Sequence, residues 1–481
     1  MSDTPTPQGR KVLIAGAGPA GLTAAYEAVR TGDTPTVLEK DRILGGLSRT
    51  DSFRGYRFDM GGHRFYTKIR RAESIWHEVL GDDLIEVRRL SRIYYNKTFF
   101  YYPLRIGNVL KGLGLWNSFM IGMSFFRAVL FPHKEEDNFE QWVVNRFGWR
   151  LYRTFFKSYT EKVWGIPCNQ ISAEWAAQRI KGLSLRTAVL HALVGDRNQK
   201  VKSLIDKFLY PRLGPGMLWE RMAEMVVERG GTVNTGQPVV GIRRDGQRVT
   251  GFVLGGDAEG QVVSGDQYIG SMPLAEAVEM MDPPAPDAVR HAASHLRQRD
   301  FLTVCLIVDV PELFPDNWIY IHDPSVQMGR LQNYENWSAE MVPDSDKSSL
   351  GAEYFTSRGE ELWEMDDDEL IALATRELDQ LGLAPADKIE AGVVYRQPNA
   401  YPVYEHGYRE HLEVVEDFLR ELENFQMVGR SGLHKYNNQD HSMLTSMLAV
   451  ENIHGAEHDI WAVHSDRLYI EEVGEDEESE H

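Results

Sequence analysis

Cysteine is scarce in this chain: 481 residues hold two, Cys168 and Cys305. That number excludes a disulfide framework and a cysteine-rich zinc pattern, and it leads us to expect a reducing, cytoplasmic compartment. The opening MSDTPTPQGRK has no apolar signal region, which adds to that expectation. Positive charge is also in short supply. Against 71 Asp and Glu stand 52 Lys and Arg, a formal net charge of −19, so no broad nucleic-acid surface is expected. An anionic substrate would need a local cluster of arginine. Long apolar runs are nearly absent. The strongest, VLKGLGLWNSFMIGMSFFRAVLF at 109–131, has roughly the length of a membrane span. Lys111, Asn117, Ser118 and Arg127 interrupt it and three glycines weaken its helix propensity, so it reads as a buried or interfacial helix without stable membrane insertion. There is no internal repeat. The one biased run is the end, IEEVGEDEESEH, with seven acids after Ile470, which reads as a solvated, mobile tail.

What the chain does have begins at Lys11. KVLIAGAGPAGLTAAYEAVRTGDTPTVLEKD reads as strand, helix, strand, with Gly16, Gly18 and Gly21 spelling G-x-G-x-x-G and Glu39 closing the second strand. Gly16 makes the tight turn, Gly18 lets the backbone approach a pyrophosphate, and Gly21 lets the helix pack on the sheet. The helix N-terminus offers unpaired N–H groups to the phosphates, and Glu39 is placed for the ribose hydroxyls. Two further glycine pairs follow in LGGLSRT (Gly45, Gly46) and GYRFDMGGHRFYTK (Gly61, Gly62). Behind this fingerprint they favour FAD over NAD, the extended cofactor running along the first pair with its flavin end toward the second.

Far downstream, NFQMVG reads as a short strand and LTSMLAVENI as a helix, with GRSGLHKYNNQDHSM between them. Such a strand would complete a Rossmann-type sheet, and the turn would carry the chain across the flavin. The helix N-terminus, roughly half a positive charge, would stabilise reduced flavin near N1 and O2. Arg430 is expected to reach the pyrophosphate. The plainer reading of this turn is a capped surface helix with Asp440 as N-cap.

The expected fold is α/β: a discontinuous Rossmann-type FAD-binding domain from residues 1–75, 212–290 and 420–455, with two inserts on the substrate side. Residues 105–205 read as mainly helical. Residues 76–104 and 291–419 read as a mixed β-sheet domain with one clear helix, DDDELIALATRELDQLGL, and 456–481 as the acidic tail.

Taken together, GGHRFYTK, FFYYPL, FFKSYTEKVWGIP with AAQRIKG, MGRLQNYENWS and GRSGLHKYNNQDHSM resemble UDP-galactopyranose mutases, more closely those of eukaryotic type, over most of residues 10–455. The wider kinship is with FAD-containing amine oxidases and desaturases. The resemblance implies an isomerase: reduced FAD, through N5, acts as nucleophile on the anomeric carbon of a nucleotide-linked sugar, exchanging pyranose for furanose with no net redox. It places Arg179 and Arg330 on the diphosphate and His63 beside the flavin. It places Tyr102, Tyr159, Trp164, Tyr320, Trp337, Tyr401, Tyr436 and Asn438 around the substrate. FAD contacts carry over to Ser48, Val240, Gly429, Arg430, Gln439 and Asp440, besides the glycines and Glu39 already named. The implied partners are a nucleotide-diphosphate sugar and a transient reductant such as NAD(P)H or a reductase; homo-oligomerisation is compatible with the sequence. Thr160 stands where eukaryotic-type mutases carry Asn, Trp337 where a Tyr is expected, and no uracil clamp is evident at 105–120, so base and sugar stay open. The alternative is an FAD-dependent oxidoreductase, amine oxidase- or desaturase-like, on a small or isoprenoid substrate.

Overall fold

Val12, Leu13 and Ile14 have no exposed surface, so their strand, Lys11–Ala15, needs cover on both faces, as a central parallel strand has. The computed structural model describes residues 9–102, 106–173 and 207–463. In it Lys11–Ala15 sits mid-sheet, between Thr34–Leu38 on one side and Gln267–Gly270 on the other, with Thr232–Asn234 and Phe425–Met427 outermost. All four pairings are parallel. The strand expected in NFQMVG thus closes the sheet, and the α/β, Rossmann-type reading holds.

Helix Pro19–Arg30 follows the first strand and packs on helix Gln439–Ile453 through its alanine-rich face. Its approach to the sheet is set by Gly21: a Cβ there would stand 1.8 Å from the carbonyl oxygen of Gly16. A smaller four-stranded sheet runs Val262–Val263, Arg248–Leu254, Val239–Asp245 and Met281–Asp282.

The substrate side rests on a seven-stranded sheet. Its order is Ile389–Pro402, Gln298–Val308, Ser348–Thr356, Arg330–Asn333, Trp318–Ile321, Ser91–Tyr95 and Thr98–Tyr101. Side chains alternate between faces. Leu302, Val304, Leu306, Leu331, Ala352 and Tyr354 form one apolar face, packed on helix Asp367–Leu381 through Leu370, Ala374 and Leu378. That helix starts at an Asp366/Glu369 capping box and stops at Gly382 in the left-handed conformation, the expected pattern for a well-delimited helix. The opposite face carries Phe301, Glu353, Phe355, Arg330 and Tyr320 toward the cofactor domain and the helical insert, Leu115–Leu130, Phe139–Leu151 and Ser158–Trp164.

The domain limits read from sequence shift in three places. Helix Arg70–Leu80 packs into the cofactor-domain core through Ile75, Trp76 and Leu80, so a limit at 75 cuts it. Helix Tyr408–Arg420 buries Leu412, Val415 and Leu419 in the same core, which therefore resumes before 420. Ile460 and Trp461 belong to it too, past 455. The acidic residues after Ile470 lie outside the described residues. Among the described residues no single helix is long and apolar enough to cross a membrane; Gly107–Leu113 and Leu115–Leu130 pass together but bend by 120°.

Replacing Gly21 by alanine forces helix and turn apart. We expect a loss of about 1–3 kcal/mol, the usual cost of overpacking, and a lower flavin-to-protein absorbance ratio in the purified variant. Wild-type flavin content together with an unchanged Tm would show that the contact is not tight.

Candidate active site

The carboxyl ends of the parallel strands meet at one edge of the sheet, where ligands bind in such folds. Three glycine turns converge there on the N-terminus of helix Pro19–Arg30. The first is the fingerprint itself. The second is LGGLS: Gly45 N–H donates to the Ala17 carbonyl at 2.9 Å, and a Cβ on Gly46 would stand 3.1 Å from the Gly18 Cα. The third is Gly429, whose Cβ would stand 2.7 Å from that of Ala20. Backbone is thus pressed against backbone where a pyrophosphate needs N–H donors and no side chains. Glu39 is buried, and its carboxylate accepts from the N–H groups of Ala17 (2.5 Å) and Asp41 (2.9 Å). Burial raises its pKa above the usual value, and these two bonds work against that. The segment leading to Val240 is tied to the same acid, Gln237 N–H donating to the Glu39 carbonyl at 2.9 Å, while the Val240 side chain is half exposed.

The far turn holds buried polar groups that lack hydrogen-bond partners within the protein. They are Nε and Nη2 of Arg430, the Asn437 amide and Oε1 of Gln439. Such a concentration just before a helix N-terminus is what a polar ligand would satisfy. The helix begins at Gln439 with Asn438 as N-cap, so the reading of Asp440 as N-cap is corrected. Asp440 lies buried in the first turn, 2.9 Å from Nδ1 of His441. Gly429, Arg430, Gln439 and Asp440 therefore share one turn and can hold FAD, and the Arg430 guanidinium also has aromatic neighbours. It lies 4.7 Å from the Tyr401 ring centre and 4.1 Å from that of Tyr436, on the substrate side.

Around that guanidinium the substrate-side residues assemble. Tyr401 and Tyr436 stack at 5.7 Å, and Trp164 lies 6.4 and 6.2 Å from them. The Tyr401 hydroxyl accepts from Nη2 of Arg330 at 2.7 Å. The same Nη2 stands 2.6 Å from Oε2 of Glu353, which has no exposed surface. Burial is the largest single influence and works against the Arg330 charge; Glu353, together with Tyr401, Tyr159 and Tyr436, outweighs it and leaves the guanidinium firmly protonated. Tyr320 faces Arg330 across the strand pair, and Tyr102 and Tyr159 lie 5.0 and 5.7 Å from Tyr320. His63 closes the group: its Nε2 is 2.9 Å from the Met60 carbonyl, next to Gly61. Its depth in the protein pushes its pKa down to about 4, and the charges of Arg430 and Arg330 push the same way. His63 is therefore neutral at neutral pH, and it is only partly buried.

Two expected residues are engaged within the protein, and a third is not described. Trp337 is core: it is buried, donates Nε1–H to the Asn317 carbonyl at 2.9 Å, stacks on Trp318 and backs the Gly62 turn. The Ser48 hydroxyl accepts from Nε1–H of Trp219 at 2.8 Å, so it holds the glycine turn to helix Gly216–Glu228. Arg179 lies outside the described residues. Sequence reasoning missed Glu353, whose strand gives no sign of an acid's purpose. It also missed Arg64 and Arg89, whose guanidinium groups lie 5.7 and 5.6 Å from the Trp318 ring; Arg64 sits inside the quoted GGHRF. Lys162, in the EKVWGIP segment, was passed over too. Its ammonium donates to the carbonyls of Asp323 (2.6 Å) and Met328 (3.2 Å), bracing the loop that leads to Arg330, and burial lowers its pKa to about 8.

Comparison with known proteins agrees with this fold. The profile of the NAD(P)-binding Rossmann-like domain matches residues 14–79, and that of the flavin containing amine oxidoreductases matches residues 130–461. The chain thus carries an FAD-binding domain. A crystal structure of reduced UDP-galactopyranose mutase superposes with a TM-score of 0.82 at 22% identity, over 94% of this chain and 97% of that one. Putrescine oxidase with putrescine bound superposes at 0.60 and 17% identity, over 93% and 99%. Among curated sequences, an inactive all-trans-retinol 13,14-reductase of Danio rerio is 42% identical over 55 residues; the match spans 11% of this chain and 9% of that protein.

Two buried histidines add a pH dependence. Burial lowers the pKa of His322 to about 3 and of His434 to about 4. Unfolded, each would titrate near 6.5, so between that value and the folded one the unfolded chain binds more protons. Their stabilisation is present above pH 6.5 and lost as pH falls. Asp59 acts oppositely, since burial raises it to about 7 and its contribution fades as pH rises from about 4 toward 7. The histidine part is therefore read as a difference. From pH 7 to 4.5, Tm should fall less steeply in a His322→Gln/His434→Gln variant than in wild type, and parallel slopes would contradict this.

Proposed function

This chain belongs to the flavin containing amine oxidoreductases, and on that premise we propose that it is a flavin-dependent pyranose/furanose mutase of a nucleotide sugar, with a UDP-galactose-like substrate. The observation that carries the reading is the charge of the cleft. In a protein of net charge −19, Arg330 and Arg430 converge on one tyrosine cluster, and both act on His63. Glu353 is the acid paired there, so the cleft stays positive. A cationic amine would be repelled, whereas a diphosphate is drawn in and bound through two parallel hydrogen bonds per guanidinium.

The chemistry supplied by bound, reduced FAD is a nucleophile at the anomeric carbon, with no net redox. The chain's own part is positioning. Arg330, oriented by Glu353 and Tyr401, holds the leaving diphosphate, with Arg179 as its proposed second arginine. Tyr102, Tyr159, Tyr320 and Trp164 wall the sugar and exclude water, and Asn438 offers it a polar contact. His63, neutral, accepts or donates one hydrogen bond at the flavin end without adding charge. A transient reductant, NAD(P)H or a reductase, would keep the flavin reduced in the cytoplasm. A redox reading on a small or isoprenoid substrate is favoured by family membership alone.

The test is anaerobic. Dithionite-reduced protein is given UDP-galactopyranose and a panel of nucleotide sugars, and furanose product is read by chromatography. Turnover by reduced and not by oxidised protein is expected. Arg330→Ala should weaken UDP binding by about a hundredfold, the scale for removing one partner of a buried charged contact, with FAD content unchanged. No product from the whole panel, together with oxygen-dependent turnover of amines or isoprenoids, would establish the redox reading instead.

A further inference from the structure

Helix Leu115–Leu130 is apolar on two opposite sides, and one of them is covered by nothing among the described residues. Ile121, Phe125 and Ala128 are buried and pack inward, where a Cβ on Gly148 of the neighbouring helix would stand within 3 Å of the Phe125 backbone. At 100° per residue, Leu115, Phe119, Met123, Phe126 and Leu130 fall on the opposite side, within an arc of about 80°, with Trp116 at its edge. Each of these six is more than half exposed, Leu115 at 87%. They form a continuous stripe along the whole helix, unlike the scattered apolar residues normal on protein surfaces.

The charge around the stripe says what would cover it. From Val87 to Lys134 the sequence has no Asp or Glu, in a chain with 71 of them. The same stretch has eight Lys or Arg: Arg88, Arg89, Arg92, Lys97, Arg105, Lys111, Arg127 and Lys134. Lys111, Arg127 and Lys134 are exposed, and on the helical wheel Arg127 borders Trp116. Acids resume at Glu135 and Glu136, and Glu136 is paired with Arg146 at 2.7 Å. A second copy of the chain would be a poor partner, because a two-fold contact sets the same basic rim against itself. An anionic bilayer matches both features: headgroups for the cations and acyl chains for the aromatic stripe. The 120° bend after Leu113 leaves Leu115–Leu130 suited to lie in the interface plane rather than to cross it.

We propose that helix Leu115–Leu130, with the turn before it, seats this protein peripherally on an anionic phospholipid surface. Docking of this kind is reversible and weakened by salt. The full-length holoprotein is sedimented with vesicles of phosphatidylcholine alone and of phosphatidylcholine with phosphatidylglycerol. Binding to the mixed vesicles only, lost in high salt, is expected. Trp116→Ser/Phe119→Ser/Phe126→Ser should reduce partitioning by about tenfold or more with flavin content and Tm unchanged. Lys111→Glu/Arg127→Glu, which keeps the stripe, should cost about thirtyfold or more, since each cation near the surface contributes about 1 kcal/mol and both are reversed. Quenching of tryptophan emission by brominated lipid should shrink in Trp116→Phe. Wild-type protein that stays in the supernatant with the mixed vesicles in low salt overturns the proposal. So does sedimentation velocity showing a dimer that the serine triple variant converts to monomer, with no vesicle binding, for the stripe would then be covered by a second copy.

Discussion

A guanidinium cannot be buried among tyrosines without a counter-charge, and Arg330 has its counter-charge in Glu353, on the next strand and directly opposite in register. The candidate site is laid out from that pair. Gln332, two residues along, donates from Nε2 to Oε1 of Glu353 at 2.5 Å, so the acid is held from one side and neutralised from the other. Tyr320 is the register partner of Arg330 on its far side. A slip of one residue in Arg330's own strand would turn it to the opposite face and bury its charge in the apolar core of Leu331, Ala352 and Tyr354. The site's chemistry and the sheet's register are therefore one constraint.

A second buried acid joins the parts that the chain order scatters. Asp59 accepts hydrogen bonds from the hydroxyls of Thr50 (2.7 Å) and Tyr210, and its carbonyl accepts from the Tyr334 hydroxyl at 2.9 Å. Thr50 in turn accepts from the N–H of Gly216 at 2.9 Å, at the start of helix Gly216–Glu228. Residues 50, 59, 210, 216 and 334 belong to three passages of the chain through the molecule, and they meet just before Gly61 and Gly62. The flavin-end turn is thereby fixed to both the cofactor domain and the seven-stranded sheet.

The dinucleotide fingerprint was legible because each of its features has a local cause: strand, three glycines at fixed spacing, helix, acid. The closing strand at Phe425 was legible because the sheet required it. Glu353 was not, since its meaning depends on Arg330, 23 residues earlier, and on a pairing that no local pattern reveals. The surroundings of Arg430 were only partly legible for a similar reason. Its place in the turn is local, but its guanidinium lies against Tyr401 as well as Tyr436, and the fold supplies Tyr401 from elsewhere. Trp337 was read as lining the site by position alone, and packing against Phe208, Tyr210 and Trp318 makes it core. The domain limits failed at helix ends, where packing on a distant core decides membership.

The distribution of charge links the two surfaces argued above. An overall charge of −19 repels phosphates at long range, so anything carrying a phosphate must be met by a local positive field. The acid-free run from Val87 to Lys134 contributes cations at both places, although Arg92 within it is paired with Asp316 at 2.5 Å. Arg89 lies 5.8 Å from the ring of Tyr102, which itself lies 5.0 Å from Tyr320 beside Arg330. A few residues on, Lys111 precedes the exposed stripe. Exposed charges act on one another only within about one Debye length, about 8–10 Å at ordinary ionic strength, so an acid would weaken the field chiefly where it stands. On the two proposals, keeping the whole stretch free of Asp and Glu serves two requirements with one compositional rule: a phosphate would be attracted into the site, and an anionic surface to the exposed helix.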